Sequence, residues 1–215
     1  MKHLLSIAIL CFFSSQLSAQ KINPKYTFNV EIGLPIATGN ESFKDIMQGL
    51  ACANIYGQYS LPFHLNFGAG LRYSLFTINE FSITEENFGE IHTGAVFLKV
   101  GWDKFHTERF ATDLGVKFGY SMNFANTDLN KVAGLNPRII NSTIFEPTLG
   151  LILAADERNS YRWNIGYCIQ GYGFSPGTIG LPSNSAYDPS NFNKLTNYLV
   201  VGFGYTHYFK NNTPN

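Results

Sequence analysis

Eight ionisable side chains, Glu31, His64, Arg72, Lys99, Asp113, Lys117, Glu146 and Arg162, fall on one face of segments that alternate between apolar residues and Gly, Ser, Asn or Thr. Gathered together they could line a gated ion path, form a catalytic network, or pair into a plug of salt bridges. Buried charges have to be paired and hydrogen-bonded, and the four cationic and three acidic groups can do so, His64 aside. Metal chemistry has less to work with. His64, His92, His106 and His207 are scattered, and neither His-x-His nor Cys-x-x-Cys occurs. Asp45, Asp128 and Asp188 lack a calcium-loop spacing. Gly68, Gly70, Gly202 and Gly204 lie inside alternating runs, where glycine eases curvature, and none forms a phosphate loop. No cofactor is expected.

The elements that must position these residues are strands of period two. The first, about Tyr26 to Leu34, sets Tyr26, Phe28, Val30, Ile32 and Leu34 against Thr27, Asn29, Glu31 and Gly33. Others follow at about Ala51 to Leu61, Phe63 to Ile78, Ile91 to Trp102, Phe110 to Phe124, Phe145 to Leu153 and Tyr161 to Gln170. The last is Tyr198 to Phe209, with Leu199, Val201, Phe203, Tyr205 and Phe209 on its apolar face and His207 the exception. Phe97 is an inward misfit on the lean face of its strand. Between strands, the long polar stretches 35–49, 79–90, 125–141 and 173–196 alternate with short turns. In the first long stretch Asn40 can cap a helix of one or two turns carrying Phe43, Ile46 and Met47.

Composition decides which face meets what. Charged residues are 14% and aromatics 15% of the chain, against about 25% charged in ordinary soluble domains. The lean face is too poor in Lys and Glu to be a water-facing exterior. Aromatics collect near strand ends at Tyr26, Phe63, Tyr73, Trp102, Phe110, Tyr161 and Phe209, as an interfacial girdle requires. Residues 1–19, with Lys2 leading into the apolar run Leu4 to Phe13 and ending Leu17-Ser18-Ala19, form a secretory signal peptide. After residue 19 no run of about 18 apolar residues could make a helical span. The expected fold is therefore all-β: an eight-stranded antiparallel up-and-down transmembrane β-barrel, residues 20–215, with four long outer loops and short periplasmic turns. A soluble lipocalin-like barrel is the alternative, and the lean face argues against it. Export permits a disulfide between Cys52 and Cys168, but the two fall on strands not expected to be neighbours, so two small lumen side chains are the better reading. Balanced charge, with 15 basic and 15 acidic residues, gives no basic patch for nucleic acid.

The signal peptide, the run Phe67-Gly-Ala-Gly-Leu-Arg-Tyr73 and the closing Val201-Gly-Phe-Gly-Tyr-Thr-His-Tyr-Phe209 resemble the small outer-membrane β-barrel family of Bacteroidetes-type bacteria, often called PorT-like or OmpA-like barrels. The resemblance spans nearly all of the exported chain. It implies residence in the outer membrane among lipid and lipopolysaccharide, and insertion by the barrel-assembly machinery with the last strand (Phe203, Tyr205, Phe209) as its signal. It also implies a partner in the envelope or a secretion system.

Eight strands leave no room for a water-filled pore, so the lumen charges are expected to be a plug. A non-enzymatic envelope or accessory protein, acting through its outer loops, is the leading reading. In the last loop Phe174, Ile179, Leu181, Tyr187 and Phe192 either fold over the barrel mouth as a lid or meet a partner. Alternatives are a small channel and a lipid-A- or phospholipid-modifying enzyme. The enzyme would need a nucleophile–base pair with an orienting carboxylate at the membrane rim. Glu90, His92 and Thr93, with Ser82 and Thr84 nearby, are the candidates, and they are poor ones.

Overall fold

The computed structural model describes residues 25–83, 86–182, 190, 192 and 194–209. The expected leader, Thr84, Tyr187 and Asp188 lie outside them. Eight strands follow in chain order: β1 Tyr26–Ala37, β2 Met47–Ser60, β3 Leu65–Ile78, β4 Gly89–Phe105, β5 Phe110–Thr127, β6 Arg138–Ala154, β7 Asn159–Gly173 and β8 Leu195–Tyr208. Each pairs antiparallel with the next, and β8 returns to β1, with Thr27 opposite Tyr208 and Ala37 opposite Tyr198. The result is a closed barrel with consecutive strands adjacent all the way round. Closure leaves no unpaired sheet edge.

Side-chain alternation places Ile32, Leu71, Val96, Leu114, Leu149 and Phe203 on the outside, each exposed, while the opposite parity points into the lumen. Strands at the long-loop end run further than the polarity of the sequence indicated. β2 begins at Met47, before a bulge between Gly49 and Ala51, and a side chain at Gly49 would run into the Pro35 carbonyl of β1. β5 reaches Thr127 and β6 starts at Arg138, so the third long connection shrinks to 128–137. These ends stay paired because apolar side chains pack inside them. Pro147 lacks an N–H, and the β6–β7 ladder passes directly from Phe145–Ile169 to Thr148–Gly166.

Two helices belong to the long-loop end. α1, Glu41–Ile46, is capped by Asn40, whose side chain accepts from the Phe43 N–H. α2, Asp128–Val132, is capped by Thr127. Phe43 and Ile46 of α1 are buried in the barrel mouth, along with Phe76, Ile78 and Ile91 of the wall. Three residues of the last loop, Phe174, Ile179 and Leu181, complete the same cluster. Ring centroids lie 5.1 Å apart for Phe43–Phe76, 5.4 Å for Phe43–Phe174 and 5.1 Å for Phe76–Tyr198. The fold thus has two interiors: an aromatic plug at the long-loop end and a polar lumen below it.

Candidate functional site

The polar lumen is built where lean-face positions of seven strands, β1 to β7, meet. Glu31 (β1) takes the Lys117 ammonium at 2.8 Å and the Tyr56 hydroxyl at 2.7 Å, with Arg162 at 3.4 Å and Asn54 Nδ2 at 3.1 Å. Asp113 (β5) takes Lys99 at 2.6 Å and Arg162 at 2.8 Å through the same oxygen. Glu146 (β6) pairs with Arg72 (β3), and Lys117 lies 3.4 Å from its other oxygen. All seven charged groups are almost fully buried. Lys117 bridges Glu31 and Glu146, and Arg162 bridges Glu31 and Asp113, so one connected network ties strands that are not neighbours in the wall.

An eighth ionisable member was not singled out by sequence. Asp103 stands directly opposite Asp113 in the β4–β5 register and accepts from Gln58 Nε2 at 2.8 Å, while Gln58 Oε1 accepts from Lys99 at 3.2 Å. Its parity matches Lys99 and Gly101, so prolonging strand four by one more inward step past Gly101 would have found it. With it, four cations face four carboxyl groups. Tyr56 was also passed over. Its hydroxyl donates to Glu31 and accepts from Arg162 at 2.7 Å, and its ring lies under the ammonium groups of Lys99 and Lys117 at 5.3 and 5.5 Å. Arg72 sits over the Tyr198 ring at 5.4 Å, where the charged layer meets the aromatic plug. Phe97 turns inward as its parity demands and packs edge-on to Tyr56 at 5.9 Å.

His64 does not join the network. Pro62–His64 forms a 3-10 turn in which Phe63 and His64 both take a φ of 67°, which breaks the alternation and swings His64 outside. There it is exposed and packs edge-on to Trp102 at 6.1 Å. Of the two readings of the last loop, lid or partner contact, the burial of Phe174 and Ile179, with Leu181 nearly buried, fits the lid. Phe192 is half-buried. Cys52 and Cys168 are buried, free thiols, with Ser74 Oγ 3.4 Å from Cys52 Sγ. Among the described residues no group of three or more His, Cys, Asp or Glu side chains is placed to hold a metal ion.

Outside the barrel, Phe203, Tyr205 and Phe209 are exposed. Tyr205 donates to Asn159 Oδ1, which also lies 3.0 Å from His207 Nδ1. His106, in the short turn after β4, has its pKa lowered by partial burial and by the neighbouring Lys104 charge. On the wall, at the long-loop end, Tyr73 Oη lies 2.6 Å from His92 Nδ1 and His92 Nε2 lies 2.7 Å from Glu90 Oε1. Ser82 Oγ donates to the Asn79 carbonyl.

No family model and no curated protein matches the chain. Solved structures do. Neisserial surface protein A superposes with a TM-score of 0.56 at 11% identity over 86% of this chain and 97% of that one. The outer membrane protein OprG from Pseudomonas aeruginosa gives 0.52 at 11% identity over 87% and 98%. The fold is that of small outer-membrane β-barrels.

Proposed function

We propose that this protein resides in a bacterial outer membrane as a closed, non-conducting, non-enzymatic barrel that works through its outside. One observation carries this reading: the wall is apolar on every strand while the lumen holds paired charges below and aromatic packing above. A surface of exposed Ile, Leu, Val and Phe on this scale is unfavourable in water and favourable in lipid. A lumen whose charges neutralise one another under an aromatic lid offers an ion no hydrated route.

Residues 1–19 would direct export, and the outward aromatics Phe203, Tyr205 and Phe209 of β8 would present the closing strand to the barrel-assembly machinery. Membership among PorT-like barrels of Bacteroidetes-type bacteria would make it an accessory subunit for a protein of the envelope or of a secretion system. With Phe174, Ile179 and Leu181 folded inward, the exposed contact surface shifts to Phe81, Phe88, Val132 and Leu135 of the other loops.

The test is to isolate the outer-membrane fraction, purify the protein from it in mild detergent, and identify what accompanies it. A stoichiometric protein partner supports the accessory role, and absence from that fraction overturns the membrane reading. In a planar bilayer the protein should be silent. Discrete conductance steps that change when Lys99 or Arg162 is neutralised would make it a channel instead.

A further inference from the structure

At the short-turn end the outer wall carries a cation set among rings. Lys104 follows Leu98, Val100 and Trp102 on the outward parity of β4, and it is exposed. Its ammonium lies 5.9 Å from the centre of the Trp102 ring, and the His64 ring meets the same indole edge-on at 6.1 Å. Thr112 stands opposite Lys104 in the β4–β5 register, with its hydroxyl 2.9 Å from His106 Nε2. That hydroxyl and imidazole satisfy each other whichever of the two donates. Lys104 forms no ion pair among the described residues, and Glu108 and Arg109 of the turn beyond it cancel in charge. The Trp102 Nε1–H, which can only donate, has no acceptor among the described residues either. A full positive charge and an N–H donor thus stand side by side, both unanswered.

Position says what kind of ligand could answer them. Trp102 is flanked in register by Leu65 of β3 and Leu114 of β5, and both leucines are exposed, as are Leu98 and Val100. An apolar track therefore leads up the wall from the indole. Lys104 lies two residues further along the strand. At about 3.3 Å per residue and a tilt of about 40°, that is about 5 Å nearer the water. The ring is then in the aromatic girdle and the ammonium at headgroup depth. With the short turns toward the periplasm, this end meets the phospholipid leaflet, and lipopolysaccharide lies at the other. The rim is not uniform in charge: the β6–β7 turn sets Asp156 and Glu157 against Arg158 alone.

We propose that Lys104 and Trp102 form a binding site for the phosphate of an anionic phospholipid, whose acyl chains lie along Leu65, Leu98, Val100 and Leu114. Phosphate oxygens accept without donating, and they bring the negative charge that an unpaired ammonium lacks. A zwitterionic head carries its own cation beside the phosphate, which offsets that attraction. The proposal rests on the apolar wall facing lipid with the short turns toward the periplasm. It deepens the reading of the exterior as the working surface by naming a lipid class that the exterior selects.

Native mass spectrometry of the exported chain in detergent, titrated separately with dioleoyl phosphatidylglycerol, phosphatidylethanolamine and phosphatidylcholine, tests it. At pH 8, where an ordinary histidine is neutral, the charge read is that of the lysine. Phosphatidylglycerol should bind about tenfold more tightly than the other two, the worth of a charge-assisted hydrogen bond. Lys104→Gln should erase that preference while leaving weak binding of all three lipids, and Lys104→Arg should keep it. Trp102→Phe, which removes the N–H, should weaken phosphatidylglycerol more than the others. Lys131→Gln, at the long-loop end, should change nothing, and millimolar inorganic phosphate should not displace the lipid. Heat-modifiable gel mobility confirms that each variant is folded, since all these side chains lie outside the lumen. Equal binding of the three lipids, a preference that survives Lys104→Gln, an equal loss in Lys131→Gln, or displacement by inorganic phosphate overturns the site. Failure to insert into vesicles at all would instead overturn the membrane reading on which the site rests.

Discussion

The two halves of the lumen are sealed by opposite means. At the long-loop end the Phe43, Phe76, Phe174 and Tyr198 rings pack in a short stack, closed by Ile46 and Ile179. Such contacts are non-directional, and a modest change of volume is absorbed by neighbours. At the short-turn end the seal is ionic and directional, Glu31, Asp113 and Glu146 each holding at least two donors. There a missing partner strands a charge, which costs far more than a missing methyl. The charged half also spans the barrel, joining Glu31 of β1 to Lys117 of β5 and Arg162 of β7. Its exacting geometry selects one arrangement of strands, while the plug supplies burial. The difference teaches that fullness alone does not describe a small barrel's interior; how each half fails does.

The largest effect expected is Glu31→Leu, which leaves Lys117 and Arg162 short of a counter-charge and should cost about 3–5 kcal/mol. Urea unfolding in lipid vesicles would read it. The double variant Glu31→Leu/Lys117→Met restores charge balance and should recover most of the loss. If it is no more stable than the single variant, the network is not acting as paired charges. In the plug, Ile179→Val removes one buried methylene and should cost only about 0.5–1.5 kcal/mol in the same assay. Combined with Glu31→Leu its cost should simply add, because the two residues share no partner. A cost for Ile179→Val as large as that of Glu31→Leu would erase the distinction between the halves.

The contrast was half legible in the sequence. Parity placed Glu31, Arg72, Lys99, Asp113, Lys117, Glu146 and Arg162 together because a two-residue period survives any register. It set the inward turn of Phe97 for the same reason. Which carboxylate meets which cation was not readable, since that depends on the stagger of non-adjacent strands. Asp103 was missed because a charged residue near a turn looks like part of the turn. His64 was misplaced because two successive left-handed residues after Pro62 reset the alternation. The aromatic plug was only partly visible. Phe43 and Ile46 were seen on their helix and Phe174 and Ile179 in their loop, but nothing local says that both fold onto Phe76. The Tyr73–His92 contact likewise needs the β3–β4 register, although each residue was visible alone.

Charges outside the barrel sharpen the comparison from the other side. The Lys131–Asp128 pair of α2 has a separation of 2.9 Å, close to that of Lys117–Glu31, yet both its side chains are about half exposed. Lys131→Met should therefore cost only about 0.3–0.5 kcal/mol, and less in high salt. The smallest effect belongs to Asp156, in the short turn 155–158. Its carboxylate accepts from the side-chain amide of Asn159 and from the Arg158 and Asn159 N–H groups at 2.7 and 2.9 Å, and the Asn159 side chain chiefly holds its pKa below the ordinary aspartate value. A carboxyl depressed in the folded state favours folding above its unfolded pKa of about 3.9. That contribution is lost as pH falls through the folded value. The turn amides should accordingly begin to exchange faster only below about pH 4. A carbon-13 titration that places the Asp156 carboxyl at or above the ordinary value would show that the turn does not hold its charge. Confinement of the change to residues 155–159, with the lumen pairs undisturbed, would separate a solvated charge from the buried ones on which the barrel depends.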